Sequence, residues 1–235
     1  MDRVTDQVLT MTVLPRLYAI VDASANLPAE NLIAFVRSLC DGGCVLLQYR
    51  NKSGNARVML DHARELRRHC GARPDGAKEA TLGWGTLGWG TQGSMRLIMN
   101  DRADLCLAAD FDGVHVGQDD LSPDSVRKII GPDRWLGVST HNPEQLLGAE
   151  LTSADYLAIG PVFATSSKEN PDPVVGLEGV RRARELTRKP LVAIGGITRA
   201  NARSVIDAGA DSVAVISDLL REPRKSAEEF LRILR

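Results

Sequence analysis

Cations, amides, carboxylates and glycines recur in this chain at the ends of short apolar runs, in types and spacings that suit phosphate chemistry. Gln48, Arg50 and Lys52 alternate in Leu46–Lys52 (LLQYRNK), so on a strand their side chains leave on one side. Arg50 can hold two phosphate oxygens through its planar fork, while Lys52 supplies a mobile point charge. Asn100-Asp101 closes the run LIMND, and Gln118-Asp119-Asp120 follows VHVG. Carboxylates on consecutive strands, without His or Cys partners at ligand spacing, suit a hard divalent ion that keeps waters, above all Mg2+. Each aspartate also has a plainer use, because Asp101 can cap the following helix and Asp119 or Asp120 the helix near Ser122.

Thr165-Ser166-Ser167-Lys168 follows Gly160-Pro161-Val162-Phe163 in a turn-rich stretch, which suits either a flap over an anion or an ordinary exposed loop. In Ile194-Gly195-Gly196-Ile197-Thr198 and in Ile216-Ser217-Asp218 a strand turns directly toward a helix. Glycine lets the backbone approach a phosphate there, and a helix start offers unpaired N–H groups. His115 sits mid-strand and reads as packing or hydrogen bonding; His141 stands at a strand tip, equally open to catalysis and to structure.

These residues need elements to gather them. Apolar runs bounded by turn signals give eight strands: Arg16–Asp22, Cys44–Arg50, Arg96–Asp101, Gly113–Gly117, Trp135–Thr140, Tyr156–Val162, Pro190–Gly196 and Ser212–Ser217. Between them Pro28–Cys40, Asn55–Cys70, Ser122–Ile130, Leu177–Leu186 and Arg199–Ala208 read as helices, and Lys225–Arg235 as the last. Ser122 and Thr198 are candidate caps. Alternating βα units imply parallel strands, eight is the closure number for a (βα)8 TIM barrel, and such barrels gather ligand groups at the carboxyl ends of the strands. One segment breaks the rhythm. Gly71–Ser94 is glycine-rich and repeats Thr-Leu-Gly-Trp-Gly at 81–85 and 86–90. It reads as a flexible insertion between helix 2 and strand 3, at the amino-terminal face of a single domain spanning 1–235, with Trp84 and Trp89 leaving open a docking surface.

With 29 Lys+Arg against 30 Asp+Glu, no surplus of cations suits nucleic acid. The amino-terminal stretch lacks the apolar core of a signal peptide, and no run reaches the length of a membrane span, so a cytoplasmic location is expected. Cys40, Cys44, Cys70 and Cys106 show no paired ligand spacing and read as reduced, mostly buried thiols.

The stretches LLQYRNK, IMNDRADL, DGVHVGQDDL, LGVSTHN, DYLAIGPVFATSSK and AIGGIT…N…AGADSVAVIS, from Cys44 to Ser217, together resemble the thiamine-phosphate synthase family. The resemblance implies a transferase joining 4-amino-5-hydroxymethyl-2-methylpyrimidine diphosphate to a thiazole phosphate, with release of pyrophosphate. By motif, Gln48, Arg50, Lys52, Asn100 and Lys168 would hold the pyrimidine diphosphate, with Arg50, Lys52 and Lys168 stabilising the departing charge. Asp101 and Asp120 would bind Mg2+. Ser139, Thr165, Ser167, Gly196, Ile216 and Ser217 fall where that family places pyrimidine, pyrophosphate and thiazole-phosphate contacts. Ser167 stands where many members carry threonine, and Asn51, between the two cations, where many carry glutamate. The alternatives are a thiazole tautomerase on the same barrel, which would not need Asp101, Asp120, Gln118 and Lys168 together, and a precursor-binding barrel without catalysis. Self-association as a homo-oligomer is left open.

Overall fold

A computed structural model describes residues 14–23, 29–70, 95–165 and 172–235. Eight parallel strands follow one another around a closed barrel. They are β1 (Leu17–Asp22), β2 (Leu46–Arg50), β3 (Arg96–Asn100), β4 (Gly113–Val116), β5 (Trp135–Thr140), β6 (Tyr156–Ile159), β7 (Leu191–Ile194) and β8 (Ser212–Val215). Pairing of Leu17 with Val213 and of Ala19 with Val215 closes the ring. The helices are α1 (Ala29–Asp41), α2 (Ala56–Cys70), α3 (Ala103–Ala108), α4 (Pro123–Ile130), α5 (Pro143–Glu150), α6 (Gly176–Leu186), α7 (Ala202–Asp207) and α8 (Pro223–Ile233), with a 3₁₀ turn at Ser217–Leu219 before the last.

Strand alternation sorts the core into two. Leu17, Ala19, Val21, Leu47, Tyr49, Leu97 and Met99 face outward and pack under the helices. Tyr18, Ile20, Leu46, Ile98, Trp135, Tyr156, Ala158, Val192 and Ala214 fill the lumen. The inward side of β2 therefore runs Leu46, Gln48, Arg50: apolar in the barrel and polar at its mouth.

The opposite, amino-terminal face is stitched by one device used three times. Asp112, before β4, accepts hydrogen bonds from the Leu97 amide of β3 (2.8 Å) and from Arg67 of α2 (3.3 Å). Asp155, before β6, does the same with Leu136 of β5 (2.7 Å) and Arg127 of α4 (2.6 Å). Asp211, before β8, repeats it with Leu191 of β7 (2.8 Å) and Arg184 of α6 (2.8 Å). Each carboxylate satisfies a strand-end amide that would otherwise lack a partner and is itself neutralised by the arginine.

Several expected boundaries shift. The strand expected to reach Val162 stops at Ile159, although beyond it the Val162 amide still donates to the Ile194 carbonyl of β7 at 2.8 Å. Those expected to reach Gly196 and Ser217 stop at Ile194 and Val215; Gly195 has φ 102°, outside the extended region. Helix α7 begins at Ala202 rather than Arg199, and Thr198 is not its side-chain cap: the Thr198 amide instead donates to Asn201 Oδ1 at 2.8 Å. The last helix starts at Pro223 and ends at Ile233. Ser122 does cap α4, accepting from the Ser125 amide at 3.4 Å. The glycine-rich segment 71–94, with its expected flexibility and its tryptophans, lies outside the described residues. The Met95 amide donates to the Cys70 carbonyl at 2.9 Å, so the chain leaves and re-enters the barrel at one point. The four cysteines are free thiols, and Cys44, Cys70 and Cys106 are buried.

Candidate active site at the carboxyl ends of the strands

The mouth is built strand by strand. Arg50 ends β2 and forms an ion pair with Asp22 at the end of β1; the two are register partners. Desolvation pulls the Arg50 pKa down while nearby Asp101 opposes the shift. Lys52, in the next turn, pairs with Asp101. Asn51, between the cations, faces the other way: its Nδ2 donates to the Tyr49 hydroxyl at 3.1 Å and its Oδ1 accepts from the Ser53 amide at 2.9 Å. The residue type at position 51 thus bears on the outer layer and not on the mouth.

Asn100 ends β3, and Asp101 follows it in a left-handed conformation, φ 62°. Aspartate tolerates that region better than most residues, and the turn re-aims its side chain. Asp120 is brought beside it from the β4 loop, where its Oδ2 accepts from the Gly117 amide at 2.7 Å. Burial raises the Asp101 pKa, the bond to Lys52 counters that, and contact with Asp120 pushes it up further. Neither aspartate caps a helix: α3 has no side-chain cap, and α4 is capped by Ser122. Asp119 is exposed. Among the described residues no three His, Cys, Asp or Glu side chains converge. Two crowded carboxylates, one of them held partly out of water, still match a Mg2+ ion that completes its shell with phosphate oxygens and water.

Gln48, His115 and Ser139 belong to one hydrogen-bonded chain, buried up to the half-buried Ser139. Gln48 Nε2 donates to the Tyr18 hydroxyl at 3.0 Å, the hydroxyls of Tyr18 and Tyr156 are 2.9 Å apart, and Tyr156 lies 3.1 Å from His115 Nδ1. His115 Nε2 is 2.8 Å from Ser139 Oγ. Gln118 Nε2 then donates to the Ser139 carbonyl at 2.6 Å. His141 sits elsewhere. Its Nδ1 lies 2.6 Å from the Gly160 carbonyl, and with Leu146, Ile159, Val175 and Leu186 it lines a cavity of about 220 Å³ by α5 and α6, outside the barrel.

Thr165, half-buried, follows the β6 end; Ser167 and Lys168 lie outside the described residues. Gly196 has φ 63°, and a Cβ there would stand 2.5 Å from the Ala164 carbonyl oxygen, so only glycine lets the β6 and β7 loops meet. Asn201 Nδ2 fastens that turn by donating to the Gly196 carbonyl at 3.1 Å. Ile216 and the exposed Ser217 follow β8 next to it. Arg199 is spent on Asp218 and Glu229, which brace the two loops. Sequence reasoning gave Asp22, Tyr18, Tyr156 and Asn201 no role. Period-2 alternation places the first three on the inward side of their strands, since Asp22 is in phase with Tyr18 and Ile20, and Tyr156 with Ala158, but does not show what their polar atoms meet.

Fold and site together define a phosphate-handling βα-barrel enzyme, with cations and paired carboxylates on β1–β4 and a glycine turn on β7. The chain belongs to the thiamine monophosphate synthase family, whose model matches residues 17–78 and 88–219. The gap between the two matched stretches, residues 79–87, overlaps the tandem repeat at 81–90. A thiamine-phosphate synthase from Koribacter versatilis is 59% identical over 94% of this chain and 96% of its own length. Another from Chloroflexus aurantiacus is 41% identical over 86% and 83%. Among solved structures, thiamine phosphate pyrophosphorylase from Pyrococcus furiosus superposes with a TM-score of 0.74 at 32% identity, covering 93% of this chain and 95% of that one. Among the described residues no helix is long and apolar enough to cross a membrane.

Proposed function

We infer that this chain is a thiamine-phosphate synthase, joining 4-amino-5-hydroxymethyl-2-methylpyrimidine diphosphate to 4-methyl-5-(2-phosphoethyl)thiazole, or its carboxylated form, with release of pyrophosphate. The observation that carries the reading, beside family membership, is the meeting of Arg50, Lys52, Asp101 and Asp120 at one end of adjacent strands. Asp101 and Asp120 would hold Mg2+, which when bound adds positive charge against the diphosphate oxygens. Arg50, Lys52 and Lys168 stabilise the negative charge that grows on the leaving diphosphate as its bond to the ring-bearing carbon breaks. Gln48, Asn100 and Ser139 orient the aminopyrimidine. Gly196, Ile216 and Ser217, with Thr165 and Ser167, hold the thiazole phosphate and the departing pyrophosphate, so that the thiazole nitrogen faces the carbon it attacks. No protein nucleophile and no strong base is required.

A cytoplasmic location is part of the proposal, in keeping with four free thiols. The test is incubation of the purified protein with both precursors and Mg2+, following thiamine phosphate and pyrophosphate together. Stoichiometric formation of both, abolished by a chelator, is the expected result. Conversion of a thiazole carboxylate isomer without pyrophosphate release would replace this reading with a tautomerase.

A further inference from the structure

The lumen chain described above has a direction that follows from the donors each group owns. The Gln48 amide nitrogen can only donate, so the Tyr18 oxygen accepts from it at 3.0 Å. The single Tyr18 proton then goes to the Tyr156 oxygen 2.9 Å away, and that of Tyr156 to His115 Nδ1 at 3.1 Å. With Nδ1 accepting from Tyr156, the one proton of the imidazole sits on Nε2. Nε2 donates to Ser139 Oγ at 2.8 Å, which leaves the Ser139 proton for a group in the mouth. Tyr18, Gln48, His115 and Tyr156 are buried, whereas Ser139 is only half-buried.

A second, independent observation marks the chain as built. Gly137 lies in β5 and pairs in register with both His115 and Tyr156. A Cβ on it would stand 2.1 Å from Tyr156 Cζ and 2.4 Å from His115 Nδ1. Glycine weakens a strand interior; here it vacates the space in which the imidazole and the phenol meet.

We propose that Tyr18, Tyr156 and His115 are positioning residues forming one directional hydrogen-bond relay across the lumen, from Gln48 to Ser139, which presents Ser139 as a fixed donor to the aminopyrimidine. The proposal rests on the function inferred above for what lies at its open end. A donor set in advance holds an acceptor nitrogen of the ring at one angle, and the two ends of the relay grip the same ring from β2 and β5. None of the three touches substrate; they act through Gln48 and Ser139.

The test combines a spectrum with kinetics. With 15N-histidine in the ligand-free protein, His115 should show an unprotonated Nδ1 and a protonated Nε2, and Tyr156→Phe, which removes one oxygen and keeps the ring, should abolish that preference. In the same variant KM for the pyrimidine diphosphate should rise about tenfold, the size expected for one lost hydrogen bond of this kind, with KM for the thiazole phosphate unchanged. Tyr18→Phe is the second variant and should give the same split should Tyr156→Phe fail to fold. A proton on Nδ1 in the wild type overturns the direction of the relay. Unchanged kinetics in the folded variant, or an equal rise in both KM values, overturns the positioning role. If the wild-type protein forms no thiamine phosphate, the function is wrong, while the tautomer measurement still decides the relay.

Discussion

Lys52 and Asp101 hold each other across the gap between β2 and β3. Arg50 and Asp22 do the same one strand earlier. The mouth thus holds paired charges, and on the function proposed above a diphosphate carrying a divalent cation would satisfy both halves at once, the anion taking the cations and the metal the carboxylates. The Lys52 side chain is half exposed, so exchanging its partner costs the fold little.

Asp101→Asn and Asp120→Asn should each lower kcat on the order of 10²-fold or more, because stabilisation of the departing charge is lost. Circular dichroism and melting temperature should stay near wild type, since neither change opens a core cavity. Wild-type turnover in both variants would remove the metal assignment.

Arg50→Ala and Lys168→Ala should weaken binding of the pyrimidine diphosphate by about ten- to a hundredfold, the range for a charged hydrogen bond. Affinity for the thiazole phosphate, assigned to the ends of β7 and β8, should change little. Arg50→Lys should recover only part of the loss, because it keeps the charge without the fork. Separate calorimetric titrations with the two ligands decide the matter; equal weakening of both would mean that the two anion sites are one.

Stability should depend on pH through His115. Its folded pKa of about 4 lies below the unfolded value near 6.5, so the unfolded chain binds the proton more readily. The contribution is full above about pH 6.5 and is lost as pH falls toward 4, by up to about 3 kcal/mol. Denaturant unfolding across that window should show the fall, and His115→Gln should flatten it. An unchanged slope in the variant would assign the acid sensitivity to other groups.

Asp155→Ala, on the amino-terminal face, should cost about 2 kcal/mol, since the Leu136 amide and Arg127 both lose an acceptor. Its kcat should match wild type at temperatures where it is folded. A large loss of turnover in folded protein would show that the two faces of the barrel are coupled.

The eight strands and most helices were legible because each is a single apolar run or stripe bounded by Gly, Pro or a capping residue, as Ser122-Pro123 shows for α4. The ends of β6, β7 and β8 were not, because there the chain stays apolar while loop packing, as at Gly196, decides where pairing stops. Arg50, Lys52, Asp101 and Asp120 were legible through charge at strand tips. Tyr18 and Tyr156 were not, because a tyrosine in an apolar run looks the same whether its hydroxyl meets water or another buried hydroxyl. Gly137 was equally silent, since the atoms it makes room for come from β4 and β6.

The three arginine–aspartate clamps each join a helix, the strand after it and the approach to the next strand, and none reaches beyond that span. The joints left between them are the connections leading into α2, α4 and α6; the first two carry Lys52 and Asp120, and Lys168 lies in the sequence between β6 and α6. Loops that tolerate change are where new ligand preferences arise. In this chain they fall at the seams of a three-part chassis, so a lineage can remodel what the mouth grips while inheriting unaltered the fastenings that keep the barrel shut.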